Sequence, residues 1–151
     1  MTRLAAALAL AVWTLVFAAA PIQAADREQP ALNTGPEIGG RIPAFKVADS
    51  SGKLQTFETL RGPKGLLLLF TRSADWCPFC KGHLVQLERQ REAFESRGYR
   101  LAALTYDSPE ILRHFAARAG ISYPLLSDPD SKVIRAFGIL NKTVPASHAF
   151  Y

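Results

Sequence analysis

Two cysteines three residues apart, Cys77 and Cys80, are the residues of this chain best suited to chemistry. They are its only cysteines, and Trp76, Pro78 and Phe79 stand beside and between them. The pair follows an apolar run and precedes a segment with helical periodicity, which places Cys77 at the start of a helix. Unpaired N–H groups and the helix dipole stabilise negative charge there, so we expect a lowered pKa for the Cys77 thiol.

This placement predicts one thiol that attacks and a second thiol that resolves. Only a thiolate is an effective nucleophile, and Cys77 is the cysteine whose thiolate the helix start favours. Cys80 lies one turn further along, facing the core, within reach of Cys77 but sheltered. Attack by Cys77 gives a mixed disulfide or a sulfenic acid, and Cys80 then closes a Cys77–Cys80 disulfide and releases the product. Both residues are therefore predicted to be catalytic.

Three other uses of the cysteine pair stay open. One is a static disulfide at a helix start, although its short loop gives little stability. A zinc site would need further ligands from His83, His114 and His148, and copper(I) delivery would need the pair plus a later histidine. We predict no bound metal and no other cofactor. Covalent haem is excluded at this motif, because Lys81 rather than a histidine follows Cys80.

The residues near the pair have supporting or neutral interpretations. Positive potential from Arg72 and Lys81 would favour a thiolate, whereas solvated surface charge is the simpler interpretation of both. Trp76 is either an apolar docking face that shields the site or an aromatic residue at its rim. Asp75 would raise the pKa of a nearby thiol, so we expect its side chain to point away. Pro78 fixes the first helical turn, and we count Arg72, Trp76 and Pro78 as supporting residues.

The elements that hold the pair follow from the hydrophobic pattern. Residues 65–71 form a nearly continuous apolar run, which predicts a strand buried on both faces in the centre of a parallel sheet. A helix follows from the cysteine motif to about Arg97, and Gly98 ends it. Residues 100–106 predict a second strand, and residues 123–126 a short third one.

Helices alternate with these strands. Ser108 and Pro109 are a cap and a first helical residue, and the helix they begin ends at Gly120. Another short helix follows residues 128–130 and ends at Gly138. Alternation of strands and helices is typical of parallel β-α-β units, so the predicted fold class is α/β.

Residues 1–24 are predicted to be a signal peptide. A basic residue near the start precedes an uncharged run rich in Ala and Leu over residues 4–20, and small residues precede the first acid. We place cleavage after Ala24, with residues 25–41 as a linker and 42–151 as one domain. An uncleaved anchor, which would tie the protein to the membrane, is the alternative. Either way we expect export, to the periplasm of a bacterium.

Composition limits the remaining possibilities. The chain has 151 residues, of which 48% are hydrophobic and 21% charged, and this fits one globular domain and excludes a disordered chain. Two cysteines are too few for a scaffold stapled by disulfides. The net charge of +5 is spread among acids along the chain, so we predict no nucleic-acid partner.

The motif Trp76-Cys77-Pro78-Phe79-Cys80 after an apolar strand resembles that of the thioredoxin-like superfamily. The similarity runs from about residue 40 to residue 140 and is to the redoxin branch, the alkyl hydroperoxide reductase/thiol-specific antioxidant (AhpC/TSA) proteins. Segments that carry it besides the cysteine motif are residues 42–45, 49–52, 106–110, 126–130 and 136–139. The resemblance implies a thioredoxin-like fold with a central, mostly parallel sheet, and a thiol oxidoreductase.

The resemblance leaves two activities open. Peroxiredoxins have a proline seven positions and a threonine or serine three positions before the attacking cysteine. Here those positions hold Phe70 and Ala74, and Ser73 is one residue away. The Trp-Cys-Pro-x-Cys form is instead similar to that of membrane-linked thiol reductases. We therefore expect exchange with protein thiols and disulfides or with a thioredoxin-type reductant, and we keep reduction of hydroperoxides as the alternative.

The resemblance also implies more structure than this sequence supplies after residue 139. Thioredoxin-like folds continue with a cis-proline, an antiparallel hairpin and a last helix. Pro145 is the only proline after Gly138, and too few residues follow it for a complete hairpin. We therefore expect a redoxin whose final hairpin and helix are missing, without the loop that contacts the disulfide and without a downstream arginine for a peroxidatic thiolate.

Overall fold

The computed structural model describes residues 34–141. The strands are β1 (Val47–Asp49), β2 (Leu54–Gln55), β3 (Gly65–Phe70), β4 (Tyr99–Thr105) and β5 (Leu125–Ser127). The helices are α1 (Phe57–Leu60), α2 (Pro78–Glu95), α3 (Pro109–Ala119) and α4 (Lys132–Ala136). No helix within this part of the chain has the length and apolar character needed to cross a bilayer. The predicted signal peptide and the C-terminal residues Pro145 and His148 lie outside the described residues.

The five strands form one sheet in the order β2-β1-β5-β4-β3. β3 pairs with β4, and β4 with β5, in parallel, with α2 and α3 as the connecting helices. β1 runs antiparallel to both β2 and β5. This mixed sheet confirms the α/β fold class and the parallel arrangement of the three later strands.

The prediction that β3 is a central strand buried on both faces was wrong. Among the described strands β3 lies at an edge of the sheet and pairs with β4 alone, and its Leu67 is 38% exposed. Alternate side chains nevertheless reach two layers, since Leu66 and Leu68 pack against one core cluster and Leu69 against the other. An apolar run therefore indicates that its side chains contact both core layers. It does not indicate that a strand pairs with it on each side.

The strand that separates the two cores is β4, whose residues 101–105 are all buried. Ala102 and Leu104 belong to the cluster that includes residues of α1 and α4, whereas Leu101 and Ala103 face residues of α2 and α3. Because successive side chains of a strand point to opposite faces, one short strand holds helices on both sides.

Signals at both ends of α2 determine where this helix lies. Cys77 is its N-cap, Pro78 occupies the first helical position, and Gly98, with a φ of +88°, follows its end. The helix ends at Glu95, slightly earlier than predicted. Leu84, which has no exposed surface, anchors it against the sheet.

α3 begins and ends where the sequence predicts. The Ser108 hydroxyl accepts a backbone N–H of the first turn at 3.3 Å, and Gly120 ends the helix with a φ of +67°. The third parallel strand begins at Leu125, two residues later than predicted. The preceding Tyr123 is buried and donates its hydroxyl to the Leu84 carbonyl at 2.8 Å, which ties this segment to α2.

Candidate active site

Cys77 and Cys80 meet at the start of α2 as a disulfide, with their Cα atoms 5.2 Å apart. The extended backbone at Cys77 (φ −94°, ψ 101°) ends the loop after β3, and Pro78 begins the helix. The Cys77 Sγ accepts a hydrogen bond from the backbone N–H of Cys80 at 3.2 Å. The sulfur thus takes the place that the oxygen of an ordinary N-cap residue occupies, where the helix start favours negative charge.

Both cysteines are buried in the disulfide form, Cys77 as well as the predicted sheltered residue Cys80. Cys77 has no exposed surface, and Cys80 is 6% exposed. Cys77 is therefore the less accessible of the two residues in the disulfide form, and the Arg72 side chain of the preceding loop contacts its sulfur.

The Arg72 guanidinium contacts both the sulfur and the indole ring before it. Its Nη2 lies 3.6 Å from the Cys77 Sγ, and its Cζ lies 5.2 Å from the centre of the Trp76 ring, a cation–π distance. The half-buried Trp76 donates its indole N–H to the Tyr106 hydroxyl at 2.9 Å. Arg72 is thus in a position from which a cation favours a thiolate, and Trp76 helps to hold it there.

The other two charged neighbours have different contacts. The Lys81 Nζ donates to the backbone carbonyl of Asp75 at 2.6 Å, which links α2 to the loop before it. The Asp75 side chain is exposed. Arg72 is the cation that contacts the Cys77 sulfur.

A buried aspartate that sequence reasoning missed holds the loop between β3 and α2. Asp107 is 5% exposed and follows the end of β4. Its carboxylate accepts the Ser73 hydroxyl at 2.9 Å and the backbone N–H of Ala74 at 2.6 Å. The Thr105 hydroxyl donates to the same carboxylate at 2.9 Å. The loop before Cys77 is therefore tied to the neighbouring strand through one side chain.

Ser73 extends this network toward the cysteine. Its hydroxyl oxygen accepts the backbone N–H groups of Asp75 at 3.0 Å and of Trp76 at 3.3 Å. The signal that could have revealed the network is topological, because the carboxyl ends of neighbouring parallel strands meet at one edge of the sheet. Ser73 follows β3 and Asp107 follows β4, so polar residues at these two positions are expected to meet.

The two described histidines that were candidate metal ligands face solvent. His83 is exposed on α2, and His114 is exposed on α3, 3.8 Å from Glu110. Within residues 34–141 no three or more His, Cys, Asp or Glu side chains are grouped to share a metal ion. The third candidate, His148, lies outside the described residues.

Two surface features lie near the segments that hold the cysteine pair. Phe79, between the two cysteines, is 79% exposed. A mainly apolar cavity of about 180 Å³ lies beside Arg72 and Tyr106, and its other lining residues are Phe70, Thr71, Ser131, Ile134, Ile139, Leu140 and Asn141.

A model of the AhpC/TSA family matches residues 38–150. The chain belongs to this family. Alkyl hydroperoxide reductase E of Mycobacterium tuberculosis is 32% identical over 107 residues, which cover 70% of this chain and 69% of that protein. Thiol-disulfide oxidoreductase ResA of Geobacillus thermodenitrificans is 25% identical over 107 residues, which cover 70% and 60%. The crystal structure of peroxidoxin BcpB from Mycobacterium tuberculosis matches with a TM-score of 0.59 at 21% identity, covering 70% of this chain and 65% of that one.

Family membership confirms the redoxin resemblance and the thioredoxin-like fold. The relatives are named for reactions of peroxides or of thiols and disulfides, so this AhpC/TSA protein is a thiol oxidoreductase. The chain spans 60% to 69% of the lengths of these three proteins. The peroxidoxin structure, at 21% identity, bears on the fold alone.

Proposed function

We propose that this AhpC/TSA protein is a thiol–disulfide oxidoreductase in which Cys77 attacks and Cys80 resolves. The observation that carries the proposal is the convergence of two donors on one sulfur. The backbone N–H of Cys80 lies 3.2 Å from the Cys77 Sγ, and the Arg72 guanidinium lies 3.6 Å from it. A helix start and a cation together make the thiolate form more favourable for Cys77 than for an ordinary cysteine.

The reaction then proceeds in two exchanges. In the first, the Cys77 thiolate attacks one sulfur of a substrate disulfide, whose S–S bond breaks and releases one substrate thiolate. In the second, the thiolate of Cys80 attacks the Cys77 sulfur of the mixed disulfide and releases the other substrate thiolate. The substrate disulfide gains two electrons, and the cysteine pair loses them as the Cys77–Cys80 bond forms. An external dithiol of the thioredoxin type returns the pair to its reduced state.

The contacts of the loop before Cys77 favour disulfide exchange over peroxide reduction. Ala74 occupies the position where peroxiredoxins have a hydroxyl, and its N–H donates to Asp107. The adjacent Ser73 hydroxyl also donates to Asp107 and therefore does not direct its proton at the sulfur. A hydroperoxide at Cys77 would lack a hydroxyl from either position to orient it.

Peroxide reduction is the second candidate, and the identities of the relatives favour it. Alkyl hydroperoxide reductase E is 32% identical to this chain, whereas the thiol-disulfide oxidoreductase ResA is 25% identical. In that reaction the Cys77 thiolate attacks the O–O bond, an alcohol or water leaves, and Cys77 becomes a sulfenic acid. Cys80 then condenses with the sulfenic acid, which forms the disulfide and releases water.

The test mixes the reduced full chain with hydrogen peroxide and, separately, with a protein disulfide. Oxidation is followed by tryptophan fluorescence in a stopped-flow instrument and is verified by alkylation and intact mass. We expect fast exchange with the disulfide and slow oxidation by peroxide, with Cys77→Ser abolishing the fast reaction. Rapid peroxide oxidation that depends on Cys77, together with slow exchange, would overturn the proposal and favour the peroxidase.

A matched variant separates the roles of the two cysteines. Cys80→Ser keeps the attacking sulfur and removes the resolving one, so we expect a stable mixed disulfide in which one substrate sulfur is bound to Cys77. Equal loss of the first step in Cys77→Ser and Cys80→Ser would contradict the assigned order of attack.

We also propose that the protein is exported and that residues 1–24 direct this export. The supporting observation is the sequence pattern of a basic start, an apolar run and small residues before Ala25. Fractionation of a bacterial host followed by intact mass spectrometry tests it. A periplasmic chain that begins at Ala25 is expected, an uncleaved chain in the membrane fraction would favour the anchor, and an uncleaved chain in the cytoplasm would contradict export.

A further inference from the structure

Asp107 has no part in the proposed exchange, yet it is bonded to three segments of the sheet edge. Two of its donors, Ser73 and Ala74, stand 34 and 33 residues earlier in the cysteine loop. The Thr105 hydroxyl donates to the carboxylate and accepts the Asp107 N–H at 2.9 Å. The Ser127 hydroxyl of β5 donates to the Asp107 carbonyl at 2.7 Å. Asp107 is thus fixed by two strands and in turn fixes the loop.

We propose that Asp107 is a positioning residue for the Cys77 sulfur, acting through Ser73 and Ala74. The proposal rests on the proposed role of Cys77 as the attacking thiol. Two residues separate Ala74 from Cys77, so a shift of the loop at Ala74 moves the sulfur as well. The Sγ must stay within hydrogen-bonding distance of the Cys80 N–H to receive the stabilisation that the helix start offers a thiolate.

A positioning role and a purely electrostatic role of Asp107 predict opposite effects of Asp107→Asn on the pKa of the Cys77 thiol. If the carboxylate holds the loop, the amide breaks at least one of its bonds, because its NH₂ group cannot accept a donor. The sulfur then moves from the helix start, and the pKa of the Cys77 thiol rises. If Asp107 acted only as a nearby negative charge, its removal would lower that pKa. Arg72, Asp75 and Lys81, the other charged groups around the loop, are unchanged in this comparison.

The experiment measures the pKa of Cys77 in the reduced full chain with Cys80→Ser as the common background. Thiolate absorbance and the rate of alkylation by iodoacetamide are recorded against pH. We expect Asp107→Asn to raise the pKa by about one unit, toward the value of about 8.5 for a free cysteine, and to slow alkylation near neutral pH about threefold or more. A lower or unchanged pKa would overturn the proposal. Neither readout uses a disulfide substrate, so failure of the proposed exchange reaction would be seen separately.

Two further variants keep the test decisive. Ser73→Ala preserves the Asp107 charge and removes one of the two ties to the loop, so we expect a smaller rise of the Cys77 pKa in the same direction. If Asp107→Asn does not fold, an unchanged pKa in Ser73→Ala overturns the proposal. Asp49→Asn is the matched control, because Asp49 is also buried but its carboxylate accepts hydrogen bonds only from residues 51–55, away from the cysteine loop. An equal rise in Asp49→Asn would indicate general loosening of the fold and would likewise overturn it.

Discussion

Two buried aspartates, Asp49 and Asp107, are both surrounded by hydrogen-bond donors, but the donors come from different parts of the chain. Asp49 ends β1 and accepts from Ser51, Lys53 and Gln55, all within six residues of it. Asp107 accepts two of its bonds from residues 33 and 34 positions away. The same chemical group therefore closes a hairpin between β1 and β2 in one region and positions the cysteine loop in the other.

The two sites also differ in what happens to the donors when the carboxylate is removed. Ser51 and Lys53 are exposed, so water can replace the oxygen atoms that they lose. Ser73 has no exposed surface and Ala74 is 1% exposed, so their donors would stay without a partner. An unsatisfied buried donor costs more free energy than the loss of a hydrogen bond that water can replace. The long-range site should therefore be the more sensitive one.

The largest expected difference in stability between the two regions comes from replacing each aspartate by alanine. Asp107→Ala should lower the free energy of unfolding by about 3 kcal/mol, because two buried loop donors and the Thr105 hydroxyl lose their acceptor. Asp49→Ala should lower it by about 1 to 2 kcal/mol, since water reaches Ser51 and Lys53 and only the side-chain amide of Gln55 is buried when it loses its acceptor. Urea unfolding of both variants and of the unchanged chain measures this. Equal losses would remove the distinction between the local and the long-range site.

The same contrast explains which parts of the fold could be predicted from the sequence. The turn at Asp49 is encoded within a few residues, as are the caps of α3 at Ser108 and Gly120, and the two predicted caps were confirmed. The place of β3 at the edge of the described sheet depends on which strands neighbour it. The apolar run at residues 65–71 carries no such information, because contact with two layers has the same pattern in a central strand and in an edge strand.

The candidate site likewise contains features that could be predicted from local sequence and features that could not. Cys77, Pro78 and Cys80 form a local motif whose position at a helix start could be predicted from its neighbours. The contact of Arg72 with the Cys77 sulfur could not be predicted, because Arg72 is held over Trp76, and Trp76 is bonded to Tyr106, 30 residues further along. Asp107 was missed for a similar reason. Both contacts form only when β3 and β4 lie side by side.

A smaller loss of stability is expected when the serine hydroxyl bonded to each of these two aspartates is removed. Ser73→Ala removes a hydroxyl that donates to Asp107 and accepts the N–H groups of Asp75 and Trp76, so we expect a loss of about 1 to 2 kcal/mol in the free energy of unfolding. Ser51→Ala removes an exposed hydroxyl bonded to Asp49 and should cost about 0.5 kcal/mol or less. Thermal and urea unfolding compare them. A larger loss in Ser51→Ala would reverse the ranking of the two regions.

The smallest expected effect is the pH dependence of the stability that the Asp49 turn contributes. Burial raises the pKa of Asp49, but hydrogen bonds from the Ser51 and Gln55 side chains and from the N–H groups of Ser51 and Lys53 outweigh it and hold the pKa below 3.8. A carboxyl with a lowered pKa in the folded state stabilises the fold above its ordinary pKa, and this contribution is lost as the pH falls through the folded value. The Asp49 contribution should therefore be complete near neutral pH and decline below about pH 4.

The difference in free energy of unfolding between the unchanged chain and Asp49→Asn measures this contribution directly. It should be constant from neutral pH down to about pH 5, then shrink as the medium is acidified, by less than the change expected for Ser73→Ala. Ser51→Ala, which removes one of the donors that lower the pKa, should reduce the acid-dependent part of the difference. A difference that stays constant at low pH, or grows, would show that the turn does not favour the charged form, and the local site would then be a purely geometric element.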